Sequence, residues 1–484
     1  MQSIFDGTYE ERQNTIKKIL HLDENFDIIC RNILIGGKKT AFYTVDGYLK
    51  GDTMEKLMEY GYSIQKEDMP GDYHQFLQKF MPYADIKTLT KEEDFISSVL
   101  SGMTCMLIEG YEQILAIDLR NYPGRSVEEP DKDKVLRGSR DGFIEALVPN
   151  VALIRRRIRD VNLVFQAKQV GRNSRTDVAV AYIKGRVDED ALKIVMDKID
   201  NANVDSLTMN QESLAEIIFP KNWLNPFPKF KYTERPDTAA ACLLEGSIII
   251  MVDNSPAVMV LPTSIFDIIE DANDYYFPPV TGTYLRISRM ITNILAVYVT
   301  PIFLLLISNP QWVPDWLSFI LIRDDINVAP IFQFLILEFA IDGLKMASVN
   351  TPNMLTTPLS IVAGIVFGDY TVSSGWFNSE IMLYMAFVAV ANYTQSNMEL
   401  TYAIKFHRMI LLIATAVFGV YGMIGGTVLL VAALALNKTL IGRRYLYPLI
   451  PFDKIQLMQR FFRISLVKYE NIHYGSDANS QVKK

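Results

Sequence analysis

One stretch, residues 290–437, holds only four basic side chains (Arg323, Lys345, Lys405, Arg408) and eight acidic ones. The residues before it carry 35 basic and 44 acidic side chains, and those after it nine basic and three acidic. The net charges are therefore −9, −4 and +6 along a 484-residue chain whose total is −7. An acidic soluble half, a charge-poor apolar block and a basic tail make the profile of a membrane protein. The average composition, 49% hydrophobic and 21% charged, conceals this division. By itself it excludes only disordered, collagenous and disulfide-stapled chains.

Cys30, Cys105 and Cys242 are far apart and form no CxxC pair. That suits a reducing compartment and offers neither a disulfide framework nor a zinc site. His21, His74, His407 and His473 are equally scattered, which argues against a histidine-based metal centre. Residues 1–18 contain no apolar core of a signal peptide, so the soluble half is expected in the cytoplasm. The chain contains no G-x-x-x-x-G-K-[ST], no G-x-G-x-x-G and no G-x-S-x-G. Nucleotide and hydrolase signatures are thus missing, and no enzyme activity and no cofactor are expected. An acidic half also speaks against nucleic acid as a partner.

The soluble half reads as two related α/β subdomains, expected over 1–125 and 162–285, with a linker and basic helix over 126–161. Phe42–Val45 is an apolar strand ending at Gly47, and Gly51–Tyr60 has the apolar spacing of an amphipathic helix. Val178–Lys184, Gly185 and Asp188–Ile199 repeat that succession. At an offset of 138, Gly47, Leu49, Asp52, Met54, Leu57 and Met58 match Gly185, Val187, Asp190, Leu192, Val195 and Met196. At an offset of 144, Gly102–Gly110 matches Gly246–Asn254, each followed by a second apolar strand (Ile114–Ile117, Val258–Leu261) that completes a hairpin. The run Arg155-Arg-Arg-Ile-Arg159 reads in two ways. It could grip phosphates or lipid headgroups, or form a solvated helix face paired with Asp141, Glu145 and Asp160.

The apolar block is expected to be an all-α membrane domain over 286–437, followed by a basic tail over 438–484. Met290–Ser308 is long enough to cross a bilayer, with Arg286 and Arg289 before it and Trp312 and Trp316 after it. Pro330–Met346 is apolar but carries Glu338 and Asp342; Pro358–Gly368 is short; Ile381–Val390 is followed by Ala391-Asn392-Tyr393-Thr394. Met409–Leu436 contains Gly419, Gly422, Gly425 and Gly426, and is either one tilted helix or a tight hairpin of two short ones. With both chain ends placed in the cytoplasm by charge, the crossings are even in number, four or six. Glu338 and Asp342 share one helix face. Such acids either line a wet path or pair with a partner, or else they mark an interfacial helix facing headgroups.

Several stretches resemble the A subunits of the GerA family of spore germinant receptors. They are Arg137-Gly-Ser-Arg-Asp-Gly-Phe-Ile-Glu145, Asn150-Val-Ala-Leu-Ile-Arg-Arg-Arg-Ile158, Arg175-Thr-Asp-Val178, Asp253-Asn-Ser-Pro256 and Asp274-Tyr-Tyr276. Where nutrient receptors tend to carry E-L-L-R-E-A-G, this chain has Glu338-Phe-Ala-Ile-Asp-Gly-Leu344, with Ile341 in place of the arginine. Asn350-Thr-Pro-Asn353, Ser374-Gly-Trp-Phe-Asn-Ser-Glu380 and Tyr402-Ala-Ile-Lys405 point to a sporulation-type member rather than a nutrient sensor. The resemblance implies a spore inner-membrane protein and a homo-oligomeric channel, pentameric in the family. Such a channel releases monovalent cations during germination and amplifies the response of nutrient receptors, with a small membrane partner and other germination proteins. On that reading Thr357, Ile361, Val362, Ile365 and Val366 are expected to line the pore, and Glu338 and Asp342 to attract cations. The alternatives are a non-conducting membrane scaffold and a nutrient-sensing receptor subunit. A secondary transporter would need repeats inside the membrane half, whereas the duplication lies in the soluble half.

Overall fold

The computed structural model describes residues 3–81, 85–122, 135–219, 225–350, 364, 370–395, 397–440, 442 and 444–463. The chain forms two compact units, Met1–Pro220 with Phe230–Pro262, and Lys221–Lys229 with Thr263–Lys484.

The first unit opens with α1 (Tyr9–Ile19), started by a capping box between Thr8 and Glu11. Then come β1 (Ile28–Ile35), β2 (Lys38–Val45), α2 (Gly51–Ser63), α3 (Tyr73–Phe80), β3 (Ile86–Leu89), α4 (Glu92–Leu100), β4 (Thr104–Ile108) and β5 (Ile114–Ile117). After α5 (Leu147–Arg157) the succession returns. It runs through β6 (Leu163–Val170), β7 (Thr176–Ile183), α6 (Glu189–Asp200), α7 (Gln211–Ile218), β8 (Lys231–Thr233), α8 (Pro236–Leu244), β9 (Ile248–Val252) and β10 (Val258–Leu261). Each half is a five-stranded sheet, ordered β1-β2-β4-β5-β3 and β6-β7-β9-β10-β8. Every pairing within them is antiparallel.

The duplication expected from the sequence holds at the level of register. Thr40 opposite Ile108 becomes Val178 opposite Val252, the offsets 138 and 144. Thr104 opposite Ile117 becomes Ile248 opposite Leu261. Lys87 opposite Ala116 becomes Lys231 opposite Val260. The turns repeat as well. Gly102 and Gly246 take φ of 90° and 92°, and a Cβ there would lie 2.5 Å from the Tyr48 ring and from the Arg186 carbonyl oxygen respectively. Only glycine fits both demands. The sequence reading saw one strand before each turn, whereas the structure pairs two. The extra strands, β1 and β6, lie at sheet edges, and the mixed exposure of β1 hides the alternation that marks a strand.

The segment expected to link the subdomains contains α5, and α5 is packed into both cores. Ala152 belongs to the first core, while Leu147, Val151, Leu153, Ile154 and Ile158 belong to the second. The Tyr48 hydroxyl donates to the Ala152 carbonyl at 2.8 Å.

The second unit is helical: α9 (Ile265–Ile269), α10 (Asn273–Tyr276), α11 (Pro279–Ser308), α12 (Pro330–Asn350), α13 (Ser379–Tyr393), α14 (Met398–Leu436) and α15 (Lys454–Phe461). Among the described residues, α11 and α14 are long and apolar enough to cross a membrane, and α13 is a shorter apolar helix. Helix α14 breaks at Gly419, where φ is 57° and ψ −132°. Its arms then fold against each other. A Cβ on Gly422 would overlap the Ala414 carbonyl, and one on Gly426 would lie 2.5 Å from the Leu411 side chain. Of the two readings of 409–436, the structure has the hairpin, and its glycines are what let two backbones approach.

Candidate functional site

Contacts inside the helical unit set the direction of each helix. Gln333, in the first turn of α12, exchanges hydrogen bonds with Asn378, the residue before α13, at 2.8 Å each way. At the other end Lys345 lies 5.4 Å from the Tyr393 ring and 5.5 Å from that of Tyr402. Helices α12 and α13 therefore run parallel, and the first arm of α14 runs back along α12.

Between that arm and α12 stands a ladder of charges. Arg408 donates from Nε to Glu338 Oε1 at 2.6 Å, from Nη2 to Oε2 at 2.9 Å and from Nη1 to the Ala296 carbonyl of α11 at 3.0 Å. One turn along, Lys405 donates to the Glu338 carbonyl at 3.0 Å and forms an ion pair with Asp342. Arg408 is 0% exposed and Glu338 2%. A guanidinium and a carboxylate so deeply buried are tolerable only as a hydrogen-bonded pair. The fork-to-fork geometry is the strong form of that pairing.

Of the alternatives open for the two acids, the described residues show pairing with a partner. Arg408 occupies both carboxylate oxygens of Glu338, and Asp342 is paired with Lys405. Among the described residues, the other acids of the block lie at helix starts or between helices. Asp315, Asp324 and Asp325 lie between α11 and α12, and Glu380 and Glu399 sit in the first turns of α13 and α14. The spacing of Glu338 and Asp342 marked one face of one helix. A charge balance would have found the rest, since Lys345, Lys405 and Arg408 are three of only four bases in the block. The expected pore residues Thr357, Ile361, Val362, Ile365 and Val366 lie outside the described residues.

A second cluster gathers around Asp274, of the Asp274-Tyr-Tyr276 motif. Asp274 is fully buried and accepts from Arg289 Nη1 at 2.9 Å, with Arg286 Nε 3.6 Å away. Burial pushes its carboxyl pKa up, and Arg289 opposes the shift. Arg286 pairs with Glu270 at 2.6 Å, and Arg460 of α15 pairs with Asp267 at 2.6 Å and Glu270 at 3.0 Å.

In the first unit the arginine run is neither a headgroup grip nor a wholly solvated face. Arg155 is 0% exposed; its Nε meets Asp27 Oδ2 at 2.8 Å and its Nη2 meets Oδ1 at 3.1 Å. It also donates to the Leu163 carbonyl at 3.1 Å, so one side chain fastens both subdomains. Arg157 pairs with Asp141 at 2.7 Å, and Arg156 lies over the Tyr122 ring at 4.6 Å. The motif residues Asn150 and Asp253 accept from the backbone N–H groups of Ile144 and Leu147 at 2.9 and 3.1 Å. The matched motifs of this half thus fix α5 in place.

Residues 14–472 match the family model described as Bacillus/Clostridium GerA spore germination protein. The chain is 35% identical to stage V sporulation protein AF of Bacillus subtilis over 455 residues, 94% of this chain and 92% of that one. It is 27% identical to the uncharacterized membrane protein YfkQ of the same organism, over 90% of this chain and 85% of that one. To its spore germination protein KA it is 26% identical, over 93% and 86%. With the family model covering nearly the whole chain and a relative this similar along its full length, the chain belongs to the GerA family of spore germination proteins.

Proposed function

We propose that the chain is a multi-pass subunit of an oligomeric channel in the spore inner membrane, releasing monovalent cations during germination and amplifying the response of nutrient receptors. The observation that carries the membrane part is an inverted distribution of polarity. Glu338, Lys405 and Arg408 are buried, while Ile294, Ile302, Phe332, Phe339, Leu383, Val390, Ile413 and Val428 are exposed on α11, α12, α13 and both arms of α14. Water would reverse that arrangement, and a lipid surround favours it. Trp312 and Trp316, exposed beyond the end of α11, suit the opposite interface.

The helix directions support six crossings. Helix α12 ends beside the end of α13, while α13 starts beside the start of α12. On this reading the short apolar stretch expected at 358–368, outside the described residues, is counted as the sixth crossing beside α11, α12, α13 and the two arms of α14. Both chain ends then lie on the basic, cytoplasmic side. The charge ladder and the apolar clusters pack the described helices of one copy against each other. That favours conduction between several copies, a homo-oligomer, over conduction through one.

The test is flux. Full-length protein reconstituted in liposomes, alone and with a candidate small membrane partner, is expected to release trapped K⁺. Verified insertion without any K⁺ or Na⁺ flux under both conditions would overturn conduction. It would favour the non-conducting scaffold, a reading to which the neutralised Glu338 and Asp342 lend weight.

A further inference from the structure

We propose that α15 is an interfacial helix whose outer face lies in the headgroup layer of an anionic membrane; this rests on the membrane reading above. The helix has two unlike sides. Its inner side is fastened to the start of α11 and the preceding turns. Arg460 holds Asp267 and Glu270, the Gln459 carbonyl accepts from Arg286 at 2.9 Å, and the Arg463 backbone N–H donates to Thr283 Oγ1 at 3.0 Å. Its outer side is apolar and unpacked: Ile455 (60% exposed), Met458 and Phe462 recur at helical spacing, and Phe452 (69% exposed) precedes them. Lys454 is exposed beside them.

Three observations select a lipid surface as the occupant. The fastening to Thr283 and Arg286 puts α15 four to seven residues before Met290, where the apolar stretch of α11 begins. At 1.5 Å per residue that is about 6–10 Å, the depth of the headgroup layer. At the same level α11 exposes Tyr284, so the first crossing helix too presents an aromatic side chain at that depth. The third is charge: the tail from 438 onward carries nine basic and three acidic residues, complementary to anionic headgroups. Asp453 caps the helix by accepting from the N–H groups of Ile455 and Gln456 at 3.0 and 3.1 Å.

The experiment uses full-length protein in nanodiscs of phosphatidylcholine with phosphatidylglycerol. Cys30 and Cys242 are replaced by alanine, buried Cys105 is kept, and a nitroxide is attached in turn at Ile455→Cys, Met458→Cys and Lys454→Cys. Ile294→Cys and Ile413→Cys serve as bilayer references, and circular dichroism confirms that each variant is folded. Accessibility to oxygen is compared with accessibility to a water-soluble nickel chelate. The expected result is oxygen preference at 455 and 458 together with nickel preference at 454. Nickel preference at 455 and 458 beside oxygen preference at 294 and 413 overturns the inference and leaves the membrane reading standing. Low accessibility to both probes at 455 and 458 means a protein partner or a second copy covers the face, and likewise overturns it. Nickel preference at 294 and 413 as well overturns the membrane reading and this inference with it.

Discussion

Removing Arg408 would expose the energetics of the charge ladder directly. In Arg408→Leu the carboxylate of Glu338, 2% exposed, loses donors at 2.6 and 2.9 Å and keeps only Lys405, 3.7 Å from Oε2. Two unit charges about 4 Å apart at an effective dielectric of about 20 interact by about 4 kcal/mol. Breaking a buried pair by removing one partner costs about 3–5 kcal/mol, which brackets the same figure. At about 1.4 kcal/mol per decade, the folded-to-unfolded ratio should fall roughly a thousand-fold. Replacing both partners, Glu338→Leu with Arg408→Leu, removes the stranded charge and should recover most of the loss. Mixed-micelle denaturation of the full chain, followed by far-ultraviolet circular dichroism, measures all three variants. A single variant within about 1 kcal/mol of the parent, or a double variant no more stable than the weaker single, would refute the reasoning.

Other outcomes follow from the same geometry. Arg155→Met leaves Asp27 buried without its guanidinium and should destabilise the first unit by about 3–5 kcal/mol in urea unfolding, while Arg155→Lys should restore only part, since one ammonium cannot serve both Asp27 oxygens and the Leu163 carbonyl as a fork does. Gly422→Val should disrupt the α14 hairpin and broaden the detergent size-exclusion peak, because its Cβ overlaps the Ala414 carbonyl; Gly425→Ala, whose Cβ meets nothing within 4 Å, should behave as the parent. Burial lowers the pKa of the Lys229 ammonium from 10.5 to about 8. Between those values the unfolded chain binds the extra proton, so stability should rise with pH across that window and be flat below it on this account; Lys229→Met should abolish the rise in unfolding midpoints measured against pH.

How much of this was legible in the sequence depended on the range of the physics involved. The duplication could be read because a left-handed turn forces glycine locally, and Gly47, Gly102, Gly185 and Gly246 all have φ between 78° and 92°. The helical half could be read because a bilayer-length apolar run leaves a charge gap. The short helices α3 and α7 and the edge strands β3 and β8 went unseen, being three to eight residues long with weak periodicity. At the candidate site the acids could be placed on one face by spacing, but Lys405 and Arg408 lie 63 to 70 residues from the acids they meet. No local pattern encodes that distance. The acidic patch around Asp274 was visible only as a motif, and the role of Arg460 as its clamp required the tertiary fold.

Where the two copies of the first unit differ in length, the chain crosses over. The offset between them is 138 from α3 to α7, and 144 from β3 to β8, so the second copy carries six additional residues at that junction. Lys221–Lys229, which lie there, belong to the helical unit. Within it the Phe227 ring packs 4.9 Å from that of His407, and the Tyr445 hydroxyl donates to the Pro228 carbonyl at 2.8 Å. The copies are therefore not interchangeable despite their shared register. A permutant with their order exchanged would keep both sheets and deprive the helices of a plug that only the longer loop can deliver.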